Sequence, residues 1–202
     1  MAQSNIEREE IRDINRGNWD KIEKEWEKIP SNESYIKRIA KHIKAFKAIA
    51  KDIEKALANL PERYSATGGG YLKDEPLLIR GGDGKGEPHI TDTIIRFNGD
   101  ESTGMDHETF ILELFDMSFN YDQEQMSKDG VFSFCKTARK PYDLLVCISL
   151  MVAKHHLGKD FKISSDGGLD EWKPAIEFYE ETFKRKAPNE LMAYFKKEEA
   201  EA

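Results

Sequence analysis

Residues 131–166 read VFSFCKTARKPYDLLVCISLMVAKHHLGKDFKISSD, and this stretch decides the fold. In 131–137 the side chains alternate: Phe132 and Phe134 fall on one side, Val131, Ser133 and Cys135 on the other, which predicts a strand. Lys136-Thr137-Ala138-Arg139-Lys140 then forms a basic turn, and Pro141 stands where a helix tolerates proline, in its first turn. Residues 144–153 are apolar on every side, so the helix they predict is buried rather than amphipathic. Gly158 ends it, 161–164 reads as a short strand, and Asp166-Gly167-Gly168 as a turn. Lys136, Arg139, Lys140, Lys154, Lys159 and Lys162 outnumber Asp143, Asp160 and Asp166. The stretch therefore carries +3 in a chain of −7, and everything else carries −10. Such a reversal of sign steers partners even though it says nothing about fold.

Composition sets the outer bounds. The chain has 202 residues, 39% of them hydrophobic, with 3 Trp, 7 Tyr and 11 Phe, enough large apolar surface for a substantial core. The acidic balance argues against general nucleic-acid coating but leaves room for a local anion site, or for the acidic part to meet a basic partner. Cys135 and Cys147 form no CxxC pair, and no histidine spacing completes a zinc set, so buried thiols in a reducing compartment are expected. Cys135 has Lys136 and Arg139 nearby in sequence, neighbours that can lower a thiol pKa. The first ten residues, MAQSNIEREE, hold no apolar core of a signal peptide, and 144–153 is about half a membrane span. The expectation is a soluble, cytoplasmic protein with no membrane association.

Outward from the central stretch, residues 5–60 read as helices. Ile11, Ile14, Trp19, Ile22, Trp26 and Ile29 form a first stripe, with a break or kink at Gly17, and Pro30-Ser31-Asn32 separates it from the next. Ile36, Ile39, Ile43, Phe46, Ala50, Ile53, Leu57 and Leu60 step by threes and fours, an a/d seam on a helix over 33–60, roughly 42 Å long. Pro61 stops it. The seam can close a hairpin within the chain, pair with a second copy as a homodimer, or receive a different protein. Ile36, Ile39, Ile43, Phe46, Ile53 and Leu57 are the residues through which it would do so. Between 65 and 104 the glycines of 68–70 and 81–86 mark loops, with strands expected over 75–80 and 91–97, and 108–114 as the hairpin partner of the latter. A last long helix over 171–186 places Trp172, Ile176, Tyr179 and Phe183 on one face, and Pro188-Asn189 opens a short terminal one.

The order predicts an α+β fold: an N-terminal helical hairpin or arm, then a small, mostly antiparallel sheet packed against a buried helix and C-terminal helices. The expected divisions are a helical arm over 1–64, an α+β body over 65–187, and a short terminal helix with a frayed tail over 188–202.

The chemistry with most support is anion binding. Lys136, Thr137, Arg139 and Lys140 lead into a helix N-terminus, whose free N–H groups and dipole favour negative charge. Lys154, His155, Lys162, Ser164 and Ser165 are further candidates, and Phe132, Phe134 or Tyr142 would give bases a stacking face. The plain alternative is a solvated basic turn paired with the acidic helices. His155 and His156 are adjacent and point apart, and HExxH is absent, so no metal site is expected. Gly81-Gly82-Asp83-Gly84-Lys85-Gly86 lacks the closing Gly-Lys-Ser/Thr of a phosphate loop and reads as a mobile loop. Asp92, Asp100, Asp106 and Glu108 offer a carboxylate cluster or ordinary loop acidity. No nucleophile has a companion base, and nothing calls for a cofactor. The balance leans away from an enzyme.

Several blocks taken together resemble a group of small uncharacterised proteins encoded by tailed phages and prophages. They are Arg96-Phe97-Asn98-Gly99, His107-Glu108-Thr109-Phe110, Phe134-Cys135-Lys136-Thr137, Arg139-Lys140-Pro141-Tyr142-Asp143, Lys154-His155-His156-Leu157-Gly158 and Ser164-Ser165-Asp166-Gly167. The likeness covers roughly residues 94–180 and leaves the helical N-terminus unmatched. It implies a viral or prophage gene acting in a bacterial cytoplasm, and no catalytic residues. The expected function is that of a non-enzymatic accessory protein that binds a host or phage macromolecule and modulates it, for instance as a counter-defence inhibitor. The alternative is a binder of a phosphate-bearing ligand, a nucleotide or single-stranded nucleic acid, through the basic turn 136–140.

Overall fold

The computed structural model describes residues 33–64, 75–114 and 132–201, so the expected helices of 5–30 lie outside the described residues. Among the described residues there are four helices and two small antiparallel sheets, an α+β fold as the sequence predicts. The helices are α1 (Glu33–Leu57), α2 (Asp143–Leu157), α3 (Leu169–Phe183) and α4 (Asn189–Glu201). The strands are β1 (Arg63–Tyr64), β2 (Glu75–Pro76), β3 (His89–Ile90), β4 (Ile94–Phe97) and β5 (Phe110–Glu113). No helix among the described residues is long and apolar enough to cross a membrane.

α2 is the centre of the molecule. From Leu144 to Lys154 every side chain except that of Leu150 is buried, the outcome its all-round apolar composition requires. Its C-terminal end is closed by Gly158 at φ 59°, whose N–H donates to Lys154 O. α1 runs along α2 and buries Phe46, Ile49, Ala50, Ile53 and Ala56 in the same core as Leu145, Ile148 and Val152, with Ile43 also buried, while Lys41, Lys44, Lys47 and Lys51 stay exposed. Each such aliphatic or aromatic side chain withdrawn from water contributes about 1.5–3 kcal/mol. From Ile43 onward the seam is therefore spent on its own chain. Ile43, Phe46 and Ile53 are 6%, 2% and 0% exposed and Leu57 packs half-buried beside them, so they are core residues and not a face for a partner helix or a second copy. The helix is consequently continuous with the body rather than a free arm. The side chains of Ile36 and Ile39 fall outside the described residues.

α3 adds Trp172, Ala175 and Tyr179 to the core and α4 adds Leu191 and Phe195. The three-stranded sheet, in the order β3-β4-β5, covers the same core, and β4 pairs with β5 over the hairpin expected from 91–97 and 108–114. Phe97 and Phe110 are direct partners in that ladder, with ring centroids 4.8 Å apart.

Two expected strands are absent, for a common reason. In 132–137 the Glu108 N–H donates to Lys136 O at 3.3 Å, but Lys136 N–H turns to the Glu108 carboxylate at 2.6 Å. A side-chain oxygen has taken the place of a backbone carbonyl, and no ladder propagates. In 161–164 Lys154 Nζ takes Phe161 O at 2.8 Å, and just beyond it the Tyr194 hydroxyl takes Ser165 O at 2.7 Å. Of the expected strand 75–80, Glu75–Pro76 pairs with β1, and Arg80 makes a single bridge with Asn98.

Candidate interaction site

The basic turn is tight and strained. Lys140 N–H donates to Thr137 O at 3.1 Å, and both central residues are left-handed, Ala138 at φ 50° and Arg139 at φ 54°. Non-glycine residues accept that region at a cost of about 1–2 kcal/mol each, so the surroundings must hold them there. Thr137 does so from below: its hydroxyl donates to Asp143 Oδ1 at 2.7 Å and accepts from Arg139 N–H at 3.3 Å. Arg139 Nε pairs with the Glu171 carboxylate on α3, and Lys140 Nζ donates to Gly104 O at 2.8 Å.

These contacts decide what the turn has left to offer. The first turn of α2 already holds a carboxylate of the chain itself. Burial pushes the Asp143 carboxyl above its ordinary range, opposed by the hydrogen bond from Thr137. Glu171 is held below its ordinary range by Arg139, and its other oxygen accepts Gly168 N–H at 2.9 Å. Lys154, 8% exposed, has its ammonium between Gly158 O, Phe161 O and the Glu190 carboxylate, where it ties the end of α2 to the segment that follows. Ser165 Oγ accepts from Trp172 Nε1 and Gly167 N–H, each at 3.0 Å. Lys162 and Ser164 are exposed on the irregular 161–165 segment. His155 stacks edge-on against His156, centroids 4.9 Å apart, in a separate cluster where His156 Nε2 and Arg185 both reach Asp52 Oδ2 at 2.8 Å. Burial, then Arg185 and His156, lowers the His155 pKa. The expected anion donors are thus dispersed, and most of them have internal partners.

Cys135 is no activated thiol. It is turned inward, its Sγ donates to Glu108 O at 3.4 Å, and burial, then Glu108 and Asp143, pushes it up to about 12. Lys136 and Arg139, its neighbours in sequence, point elsewhere. The four loop carboxylates do not cluster either. Asp92 pairs with Lys47 at 3.7 Å, Glu108 takes Lys136 N–H, and Asp100, 4% exposed, accepts from Arg80 Nε at 2.8 Å. Among the described residues no group of three or more His, Cys, Asp or Glu is placed to hold a metal ion.

What remains on the surface is the ribbon that enters the turn. Phe132 is 71% exposed and Phe134 65%, their rings are 6.1 Å apart and tilted by 35°, and Lys136 Nζ lies 5.8 Å from the centre of the Phe134 ring. The Phe134 ring thus neighbours both Phe132 and Lys136, and the three form one exposed patch. His107 fixes the ribbon from the side. Its Nδ1 lies 2.6 Å from Lys136 O, and since a carbonyl accepts, that nitrogen is the donor. The Tyr142 hydroxyl donates to Glu108 O at 2.7 Å below it. The alternation of 131–137 was legible in the sequence, but no local signal says that the phenylalanine side faces water. Compared with family models, with curated proteins and with solved structures, the chain finds no match in any of the three.

Proposed function

We propose that this protein acts by binding a partner protein, and that Phe132, Phe134 and Lys136 are the centre of the contact. The observation that carries the reading is the exposure of two phenylalanine rings side by side. Each ring left in water forgoes about 1.5–3 kcal/mol of burial. Aromatic rings, phenylalanine among them, are enriched in the buried centres of protein interfaces. In the setting implied by the resemblance, the partner is a host or phage macromolecule whose activity the contact modulates, and counter-defence is one such role. The ribbon is a binding surface and brings no nucleophile or base together.

A phosphate-bearing ligand at 136–140 is the weaker reading, because Thr137, Arg139, Lys140, Lys154 and Ser165 already have partners within the chain. Native mass spectrometry of protein purified from a bacterial host at low salt tests both. A defined protein partner retained by the natural chain, and bound roughly thirtyfold or more weakly by the Phe132→Ser, Phe134→Ser double variant, supports the proposal. A partner held equally by both chains overturns it, and co-purified nucleic acid released by salt favours the phosphate reading.

A further inference from the structure

Arg96 stands apart from the other arginines whose side chains are described. Arg80 pairs with Asp100, Arg139 with Glu171, Arg185 with Asp52, and Arg63 is also engaged, whereas Arg96 has no hydrogen-bond or carboxylate partner among the described residues. It lies on β4 directly opposite His89 on β3 and Ile111 on β5, so these three share the solvent face while Ile95 and Phe97 face the core.

Its guanidinium lies against Gly82. A Cβ added at Gly82 would come within 2.1 Å of Arg96 Nε and 2.7 Å of Cζ. Gly82 is not among the left-handed residues, and a side chain there would have to push the guanidinium aside. The loop expected to be mobile is tied down. Gly81 N–H donates to Lys85 O and Gly84 N–H to Gly81 O, each at 2.9 Å, while the Asn98 amide and the Thr109 hydroxyl both donate to Gly82 O. Loop and sheet together enclose an open cleft of about 530 Å³, with Arg96, His89, Lys85 and Ile94 in its lining.

Charge selects the ligand. Lys85 leans to Glu101 at 3.5 Å, and Asp83 and Glu87 also line the cleft. A phosphate dianion would meet those carboxylates with about twice the repulsion felt by a monoanion, and the two-pronged guanidinium of Arg96 matches the two oxygens of a single carboxylate. We propose that this cleft binds the carboxylate of a small apolar acid or of a peptide C-terminus, gripped by Arg96, with the apolar part against Ile94.

The test is a series of 1H–15N spectra of the full chain titrated with hexanoate, the tripeptide acetyl-Gly-Val-Leu as free acid, the same peptide as its amide, and inorganic phosphate. Saturable shifts at Gly82, His89 and Arg96 Nε are expected with the carboxylates, with Arg96→Gln about tenfold or more weaker and Arg96→Lys in between. Arg96 is exposed and unpartnered, so both variants keep the remaining spectrum. Binding of the peptide acid without hexanoate assigns the site to C-termini, and binding of both assigns it to carboxylates in general. The proposal is overturned if the amide binds as well as the acid or if phosphate binds more tightly. It is equally overturned if Arg96→Gln changes nothing, or if no probe shifts the loop at roughly tens of millimolar, where fragments of this size still register.

Discussion

The Thr137 hydroxyl donates to Asp143 Oδ1 at 2.7 Å, and this bond joins a turn of two left-handed residues to the first turn of the buried helix. Thr137 is 8% exposed and Asp143 is pushed toward its neutral form by burial, so neither group has water as a ready substitute. Thr137→Val keeps the shape and removes the donor. It should lower unfolding stability by about 1–3 kcal/mol in urea titrations, more than a surface substitution does. An unchanged midpoint would mean that the turn is held by Arg139 and Glu171 alone.

Acid should destabilise the protein through a set of named carboxylates. The Ser102 hydroxyl and Arg80 hold Asp100 down to about 2. Asp160 is held low by His42, Glu171 by Arg139 and Glu180 by Lys186, and Asp52 is low because His156 and Arg185 outweigh its burial. A folded pKa below the unfolded one means that the unfolded chain binds more protons. The stabilisation is present above the unfolded carboxylate value of about 4 and is lost as pH falls toward 2. Asp143, raised by burial, works the other way and favours the fold in its protonated form. Unfolding midpoints measured from pH 6 down to 2 should fall, and Asp100→Asn should make the fall shallower.

Ile53 is 0% exposed on α1 and packs in the core shared with α2. Ile53→Ala should cost about 2–5 kcal/mol, through lost burial and the cavity left behind. Sedimentation should give the natural chain and the variant the same mass per particle, because the residue serves the fold and not an interface between copies. A change of mass at unchanged stability would return the seam to a role in association.

Ser149 lies at 0% exposure on α2, and its Oγ has no hydrogen-bond partner among the described residues. Ser149→Ala removes an unsatisfied hydroxyl from an apolar helix and adds a better helix former. Thermal unfolding should show a gain of up to about 1 kcal/mol. A loss would mean that the hydroxyl is bonded through water.

Periodicity alone was enough for the parts of the fold whose causes are local. The all-round apolar run 144–153 is α2, the three-four spacing from Ile43 to Ile53 lies on the buried stripe of α1, which also takes in Ile49 and Ala56, and the strands read at 91–97 and 108–114 are the β4–β5 hairpin. Burial of a helix face or stripe follows from which residues recur along it, and any fold that hides apolar surface must respect that pattern. Tertiary structure decided which polar group meets which. Lys140 reaches Gly104 across 36 positions, Arg139 reaches Glu171 across 32, and Asp52 gathers His156 and Arg185 across 104 and 133. These meetings turned most of the expected anion donors into internal ties, while the Arg96 guanidinium lies over Gly82 and Phe132 beside Phe134. A hydrogen bond is made or lost within an ångström, so its partners are set by how distant segments pack, which no local pattern in the chain records.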